Sequence, residues 1–321
     1  MSFTIYVTRD FDQMSRVAAS LVKTDIEEKQ AVKGEYVLGL ATGNSPTGLY
    51  KNLAAALNAG VIDASRVRSY NLDEYVGLPG DNAQQRALHP ESYSYFMIKE
   101  LFGLLDRTFA ETNVPWGTLI EQDALIAALD AETGAYELQG TDKGKAVVIA
   151  EGATGVLGWI KEHVLDAYAA KIERFGGIDL HIVGVGGRGH VAFHESGIPF
   201  EGNRMLLVRL DDNTVENAVA DGHFATIDDS PRYAISMGAE LVYKARKVVL
   251  VANGPRKTGP VAESVLGDVT PDVPISYGQR FVEQGGSLAY VLDEAAAAEL
   301  LARADEVLEK GYELIDMRSE G

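Results

Sequence analysis

The chain has 321 residues and no cysteine, and 47 acidic against 29 basic side chains give it a formal net charge of −18. That balance excludes a nucleic-acid surface, which needs clustered Lys and Arg, and the lack of cysteine excludes disulfides, thiolate catalysis and zinc–thiolate centres. With 46% hydrophobic residues the chain can bury the core of one large α/β domain or two small ones.

In chain order, Phe3 to Val7 reads as a first strand. Asp10 to Lys29 has helical spacing, with Phe11, Met14, Val17, Ala18, Leu21 and Val22 on one face. Tyr36 to Leu40 reads as a buried strand and Thr47 to Ala59 as a helix ending near Gly60. Val67 to Leu72 is a third strand and Glu91 to Leu105 a further helix. Val156 to Phe175 is helical and stops at Gly176-Gly177, before the central strand Ile178 to Val183. Arg204 to Leu210, Val248 to Val251 and Ser287 to Leu292 read as later strands, with helices over Ala239 to Ala245 and Asp293 to Lys310. The alternation predicts an α/β fold: a doubly wound, mostly parallel, Rossmann-like sheet with helices on both faces. Residues 1–321 read as a single domain. Pro79 to Pro90 reads as a polar loop, and 111–154, with Gly134, Gly140, Gly144 and Gly152, as an insertion. No apolar run approaches the roughly 20 residues that span a bilayer. The first residues lack the features of a secretion signal, so a cytoplasmic protein is expected.

Chemistry concentrates in segments that follow predicted strands, where open α/β sheets place their ligands. After Tyr36 to Leu40 comes Thr42-Gly-Asn-Ser45, and a proline then opens a helix. Hydroxyls and free N–H groups at such a turn form an anion cradle; without an anion they are a helix start capped by Ser45. The missing Gly-Lys-Ser/Thr excludes the P-loop nucleotide pattern. After Val67 to Leu72 come Asp73 and Glu74. Adjacent residues of an extended chain face opposite ways, so one enters the site and the other caps or pairs. A carboxylate there can abstract a proton from carbon next to a carbonyl. After Ile178 to Val183 comes Gly-Val-Gly-Gly-Arg-Gly-His-Val-Ala-Phe-His-Glu195, where glycines let backbone approach a ligand. His190 can act as an acid or base near neutral pH, and Glu195 can orient it; His194 is expected to point away. Lys257, in Asn253-Gly-Pro-Arg-Lys-Thr-Gly259, is either a fixed positive charge for a phosphate or a solvated lysine.

Together these segments resemble the glucosamine-6-phosphate deaminase (isomerase) family, related to the 6-phosphogluconolactonases. The likeness covers Leu38 to Tyr50, Tyr70 to Leu78, His89-Pro-Glu-Ser-Tyr93, Gly184 to Glu195, Tyr233 to Gly238 and Gly254 to Lys257. It implies an enzyme that turns glucosamine 6-phosphate and water into fructose 6-phosphate and ammonia, with no metal or organic cofactor. Asp73 would move a proton between C1 and C2, His190 would open the pyranose ring, and Glu195 would assist it. Thr42, Gly43, Asn44, Ser45 and Lys257 would hold the phosphosugar, with Gly186 and Arg188 also on the substrate. Alternatives are another hexose-phosphate isomerase, a lactonase-like hydrolase, or a non-catalytic sugar-phosphate sensor. The resemblance is compatible with a homo-oligomer; no nucleic-acid or membrane partner is expected. The chain departs from the pattern at three points: the loop between Leu78 and His89 is longer than usual, with 111–154 as an insertion, and two motifs differ. Gly-x-x-Asp-Gly-His reads here with Arg188 in place of the aspartate, and Asp211 to Val219 holds no arginine where the family has one for phosphate. Arg188 or Arg204 is expected to replace that charge.

Overall fold

A computed structural model describes residues 2–320. The strands are β1 (Ser2–Thr8), β2 (Tyr36–Leu40), β3 (Val67–Asn71), β4 (Asp73–Val76), β5 (Glu111–Asn113), β6 (Tyr136–Thr141), β7 (Gly144–Ile149), β8 (Leu180–Val183), β9 (Met205–Arg209), β10 (Tyr233–Met237), β11 (Lys247–Ala252), β12 (Ser287–Asp293) and β13 (Glu313–Asp316). Eight form one sheet in the order β13-β1-β12-β11-β8-β2-β3-β5. Every pairing in it is parallel. The doubly wound α/β reading is therefore correct for this sheet.

The strand sequences explain why both faces are covered. Val248 and Leu250 of β11 enter one core with the helices Thr258–Leu266 and Glu294–Ala302. Val249 and Val251 enter the opposite core with Phe11–Lys33 and Thr47–Asn58. A strand apolar on alternate and intervening positions alike is what a doubly covered parallel sheet requires.

A second sheet, β4-β10-β9-β7-β6, is antiparallel throughout and was not expected from the sequence. The segment 111–154 contributes β5 to the first sheet and the β6–β7 hairpin to the second. The two sheets meet at Leu72. Its N–H donates to the Leu40 carbonyl of β2, and its own carbonyl accepts from Met237 N–H of β10. Asp73 follows directly, so the chain's most promising acid sits where the sheets join.

Several element boundaries differ from expectation. Pro79 to Pro90 contains a short helix, Ala83–Ala87, capped by Asn82. The helix expected over Glu91 to Leu105 is shorter, Tyr93–Glu100, followed by a tight turn of 3-10 helix. A π-helical stretch, Lys161–Asp166, interrupts the helix expected at 156–175. The C-terminal helix breaks at Arg303 into Glu294–Ala302 and Ala304–Glu309. No described helix is long and apolar enough to cross a membrane.

Candidate active site

In the order β11-β8-β2-β3 the neighbours run parallel, with Leu250 beside Val183, Leu38 beside Leu180 and Leu40 beside Asn71. Their C-terminal ends therefore share one rim, and the loops that leave them carry the motifs. Ser45 Oγ donates to Asn253 Oδ1 at 2.7 Å, tying the β2 loop to the β11 loop. Lys257 Nζ donates to the Val185 carbonyl at 2.7 Å, tying the β11 loop to the β8 loop. Burial and the neighbouring Arg256 charge lower the Lys257 pKa, with Asp221 opposing them. The β8 loop in turn reaches β4's neighbour: Phe193 N–H donates to Ser236 Oγ at 2.9 Å, and Ser236 pairs across the ladder with Asp73. The structure thus brings Asp73, His190 and residues 42–45 onto one rim.

The adjacent acids have separate surroundings. Glu74 is fully buried and accepts from the N–H groups of Tyr93 and Ser94, both at 3.0 Å, and from the hydroxyls of Ser92 (2.8 Å) and Ser94 (3.0 Å). A carboxylate at a helix start satisfies amides that lack intrahelical partners. Burial raises the Glu74 pKa, and these same donors oppose the rise. Asp73 is 6% exposed. Burial, then the Glu74 charge beside it, push its pKa well above the usual carboxylate range, and no hydrogen bond offsets them among the described residues. A desolvated carboxyl with no donor is the environment of a poised base.

Capping by Glu74 also sets Tyr93, which sequence reading noted only within a motif. Its ring stacks on Phe193 at 5.8 Å and 9°, and lies 5.0 Å from Tyr75. Burial raises its pKa, and the Thr42 hydroxyl opposes that rise by a hydrogen bond. Asn253 is a second residue missed; its place in the Asn-Gly-Pro-Arg-Lys segment was the available signal.

His190 Nδ1 lies 3.1 Å from Oε2 of Glu195, which is 1% exposed. A carboxylate only accepts, so Nδ1 carries the proton and Nε2 is the basic nitrogen. Two glycines make the pair possible. A Cβ on Gly186 would stand 1.7 Å from His190 Nε2, and one on Gly144, at φ +109°, would stand 2.6 Å from the Glu195 Cβ. Ala192, two residues past His190, holds φ +51°, backbone that costs a non-glycine residue energy and tends to cluster at functional sites. Gly186→Ala is therefore expected to push the imidazole aside and lower kcat/KM by about 100-fold. Steady-state kinetics alongside an unchanged circular dichroism spectrum check this; wild-type kcat/KM would contradict it.

The remaining residues fall on both sides of expectation. His194 is fully buried, its Nε2 on the Ile198 carbonyl and its Nδ1 accepting from Ala239 N–H. Burial lowers its pKa to about 4, so it stays neutral inside the fold. Arg188 Nε sits 3.0 Å from Asp211 Oδ2. Arg204 does not replace a phosphate-binding charge. It pairs with Glu173 and lines a cavity of about 280 Å³ with Gly176, Gly177 and Ile178, at the opposite end of β8. A second cavity, of about 430 Å³, is lined by Glu201, Tyr277 and Arg280 among others. Neither includes Asp73, His190 or residues 42–45, and the hydrogen bonds that lace the rim loops define the site better than cavity size does.

No family model matches the chain. Curated relatives do. The chain is 33% identical over 293 residues to a glucosamine-6-phosphate deaminase of Clostridium perfringens, covering 91% of this chain and 98% of that one. It is 35% identical over 300 residues to the enzyme of the same name from Rhodopirellula baltica, covering 94% and 97%. Among solved structures, a monomeric glucosamine-6-phosphate deaminase superposes with a TM-score of 0.69 at 23% identity, covering 92% and 99%. The 6-phosphogluconolactonase of Trypanosoma brucei does so at 0.52 and 18%, covering 92% and 98%, which shows a shared fold alone. The chain belongs to the glucosamine-6-phosphate deaminase family.

Proposed function

We propose that this chain converts glucosamine 6-phosphate and water into fructose 6-phosphate and ammonia. The observation that carries the reading is the unpartnered, buried Asp73 on the same rim as the His190–Glu195 pair and the Thr42–Ser45 turn. Thr42, Gly43, Asn44 and Ser45 hold the phosphate through hydroxyls and the amides before Thr47–Asn58, and Lys257 adds charge. Burial of Lys257 makes each contact with an anion stronger than it would be in water. His190 accepts the anomeric hydroxyl proton on Nε2 and returns one to the ring oxygen, opening the pyranose; Glu195 stabilises the imidazolium that forms in between. Asp73 then takes the C2 proton of the open-chain amino aldose and delivers it to C1, while one proton passes from the amino nitrogen to O1. The product is the imine of the ketose at C2. Water adds to that imine, and ammonia leaves. The charged substrate, which does not cross a bilayer unaided, fits a cytoplasmic setting.

Ammonia and the ketose 6-phosphate measured together, on glucosamine 6-phosphate and on galactosamine 6-phosphate, test the reading. Equimolar release of both products from glucosamine 6-phosphate is expected. Tight sugar-phosphate binding with no ammonia from either would contradict it and favour a non-amino sugar isomerase or a lactonase.

A further inference from the structure

Arg188 puts a guanidinium two residues before His190, where the resembling pattern has a carboxylate. Its contacts run away from the imidazole. Nε lies 3.0 Å from Asp211 Oδ2, with the alignment of an ion pair and not of a hydrogen bond. The other oxygen of Asp211, Oδ1, accepts from Asn213 N–H at 3.1 Å and so caps the helix Asp212–Ala220. The backbone N–H of Asp211 donates to Glu195 Oε1 at 3.3 Å, while Oε2 of the same carboxylate takes His190 Nδ1 at 3.1 Å. A continuous chain therefore runs Arg188–Asp211–Glu195–His190.

The electrostatics of this chain need the arginine. Asp211 is 5% exposed, so its carboxylate stands out of water, and the backbone N–H of the same residue holds Glu195 Oε1. A buried charge left without a partner is costly, and the chain around it shifts to find one. Such a shift at Asp211 would draw its N–H off Glu195 Oε1, and His190, held by the other oxygen of that carboxylate, would lose its aim. A guanidinium on the outer carboxylate cancels that charge without touching the imidazole. The half-exposed Arg188 side chain, 42% open to water, pairs with an Asp211 side chain that is only 6% open.

We propose that Arg188 and Asp211 form a positioning pair for the reaction, in which Arg188 balances the buried Asp211 charge and so keeps the Asp211 N–H on Glu195, which in turn aims His190. The role as a positioning residue rests on the deaminase reading above and adds to it a group that acts without touching substrate.

The test is a double-mutant cycle on the full chain, with Arg188→Ala, Arg188→Lys, Asp211→Asn and the combined Arg188→Ala/Asp211→Asn. Asparagine still caps the helix, and its backbone N–H still reaches Glu195. Arg188→Ala is expected to lower kcat about 10- to 100-fold with KM nearly unchanged. Arg188→Lys keeps the charge and should retain most of kcat. The combined variant removes both charges and should recover most of what Arg188→Ala lost. Nitrogen-15 NMR of the histidines reads the same pair without turnover: wild type shows His190 protonated on Nδ1, and Arg188→Ala loses that signal while the combined variant regains it. A combined variant as slow as Arg188→Ala overturns the proposal. So does a tenfold rise in KM with kcat intact in Arg188→Ala, which would make Arg188 a substrate-binding residue. If wild type releases no ammonia, the deaminase reading fails, and the NMR arm still decides whether the pair sets the His190 tautomer.

Discussion

Asp73→Asn is expected to lower kcat by about 100- to 10,000-fold, the range that a positioned acid or base contributes. KM should change little, because the phosphate grip lies in other loops. The same substitution should stabilise the protein at neutral pH. A carboxyl whose folded pKa lies above its unfolded value holds its proton more tightly in the folded chain, so stability falls as pH rises from about 4 through the raised value. Burial and the Glu74 charge place Asp73 in that class. Asparagine carries no such cost. Because only the ionised carboxylate can accept the C2 proton, the acidic limb of kcat/KM should also lie above the usual carboxylate range. A variant that keeps wild-type kcat, or an acidic limb at an ordinary aspartate value, would remove Asp73 from the mechanism.

Glu74→Ala is expected to act on the fold first and on the chemistry through it. Removing the carboxylate from this fully buried position leaves the Tyr93 amide and the Ser92 and Ser94 hydroxyls without this acceptor, while the Ser94 amide keeps only the Ser92 hydroxyl. Buried donors left this way cost about 1–3 kcal/mol each, and partial solvation reduces the sum, so a loss of about 3 kcal/mol is a fair expectation. At about 2.1 cal/mol/K of unfolding entropy per residue, that lowers the Tm of a chain this long by about 4–5 °C. Tyr93 would lose the anchor that holds it against Phe193 and beside Thr42, so kcat/KM should fall as well. Glu74→Gln keeps an acceptor and should be milder in both respects. Thermal melts and kinetics of the two variants check this; equal melts for Glu74→Ala and wild type would contradict it.

The pair at 73 and 74 also shows what the sequence could and could not reveal. Alternation along a strand says that the two acids face opposite ways. It cannot say which one meets the substrate, because the chain leaves one sheet and joins another at Leu72, and that junction is a tertiary fact. Six strands of the parallel sheet were legible because they are largely apolar and separated by amphipathic helices; its edge strands β5 and β13, short, polar and mostly open to water, were not. The antiparallel sheet was not. β4 has 4 residues, and β6 is largely solvent-facing without a clean alternation. The β6–β7 hairpin looked irregular because Gly140 and Gly144, both at positive φ, punctuate it. The site motifs could be read because glycine, hydroxyl and carboxylate residues follow strand ends. Asp211 could not, since it acts through Glu195 and Arg188, far away in sequence; Asn253 stood in a segment the sequence singled out, but its partner Ser45 was not visible there. Arg204 was misjudged for the same reason. Charge type was visible in the sequence; the end of the sheet it occupies was not.

A crystal structure with a hexitol 6-phosphate bound, an open-chain mimic that cannot turn over, tests the central claim most directly. The account predicts its phosphate on the Thr42–Ser45 turn beside Lys257, with C1 and C2 within reach of the Asp73 carboxylate and O5 near His190. A ligand seated in the cavity beside Arg204, or one whose C1–C2 end lies away from Asp73, would contradict it.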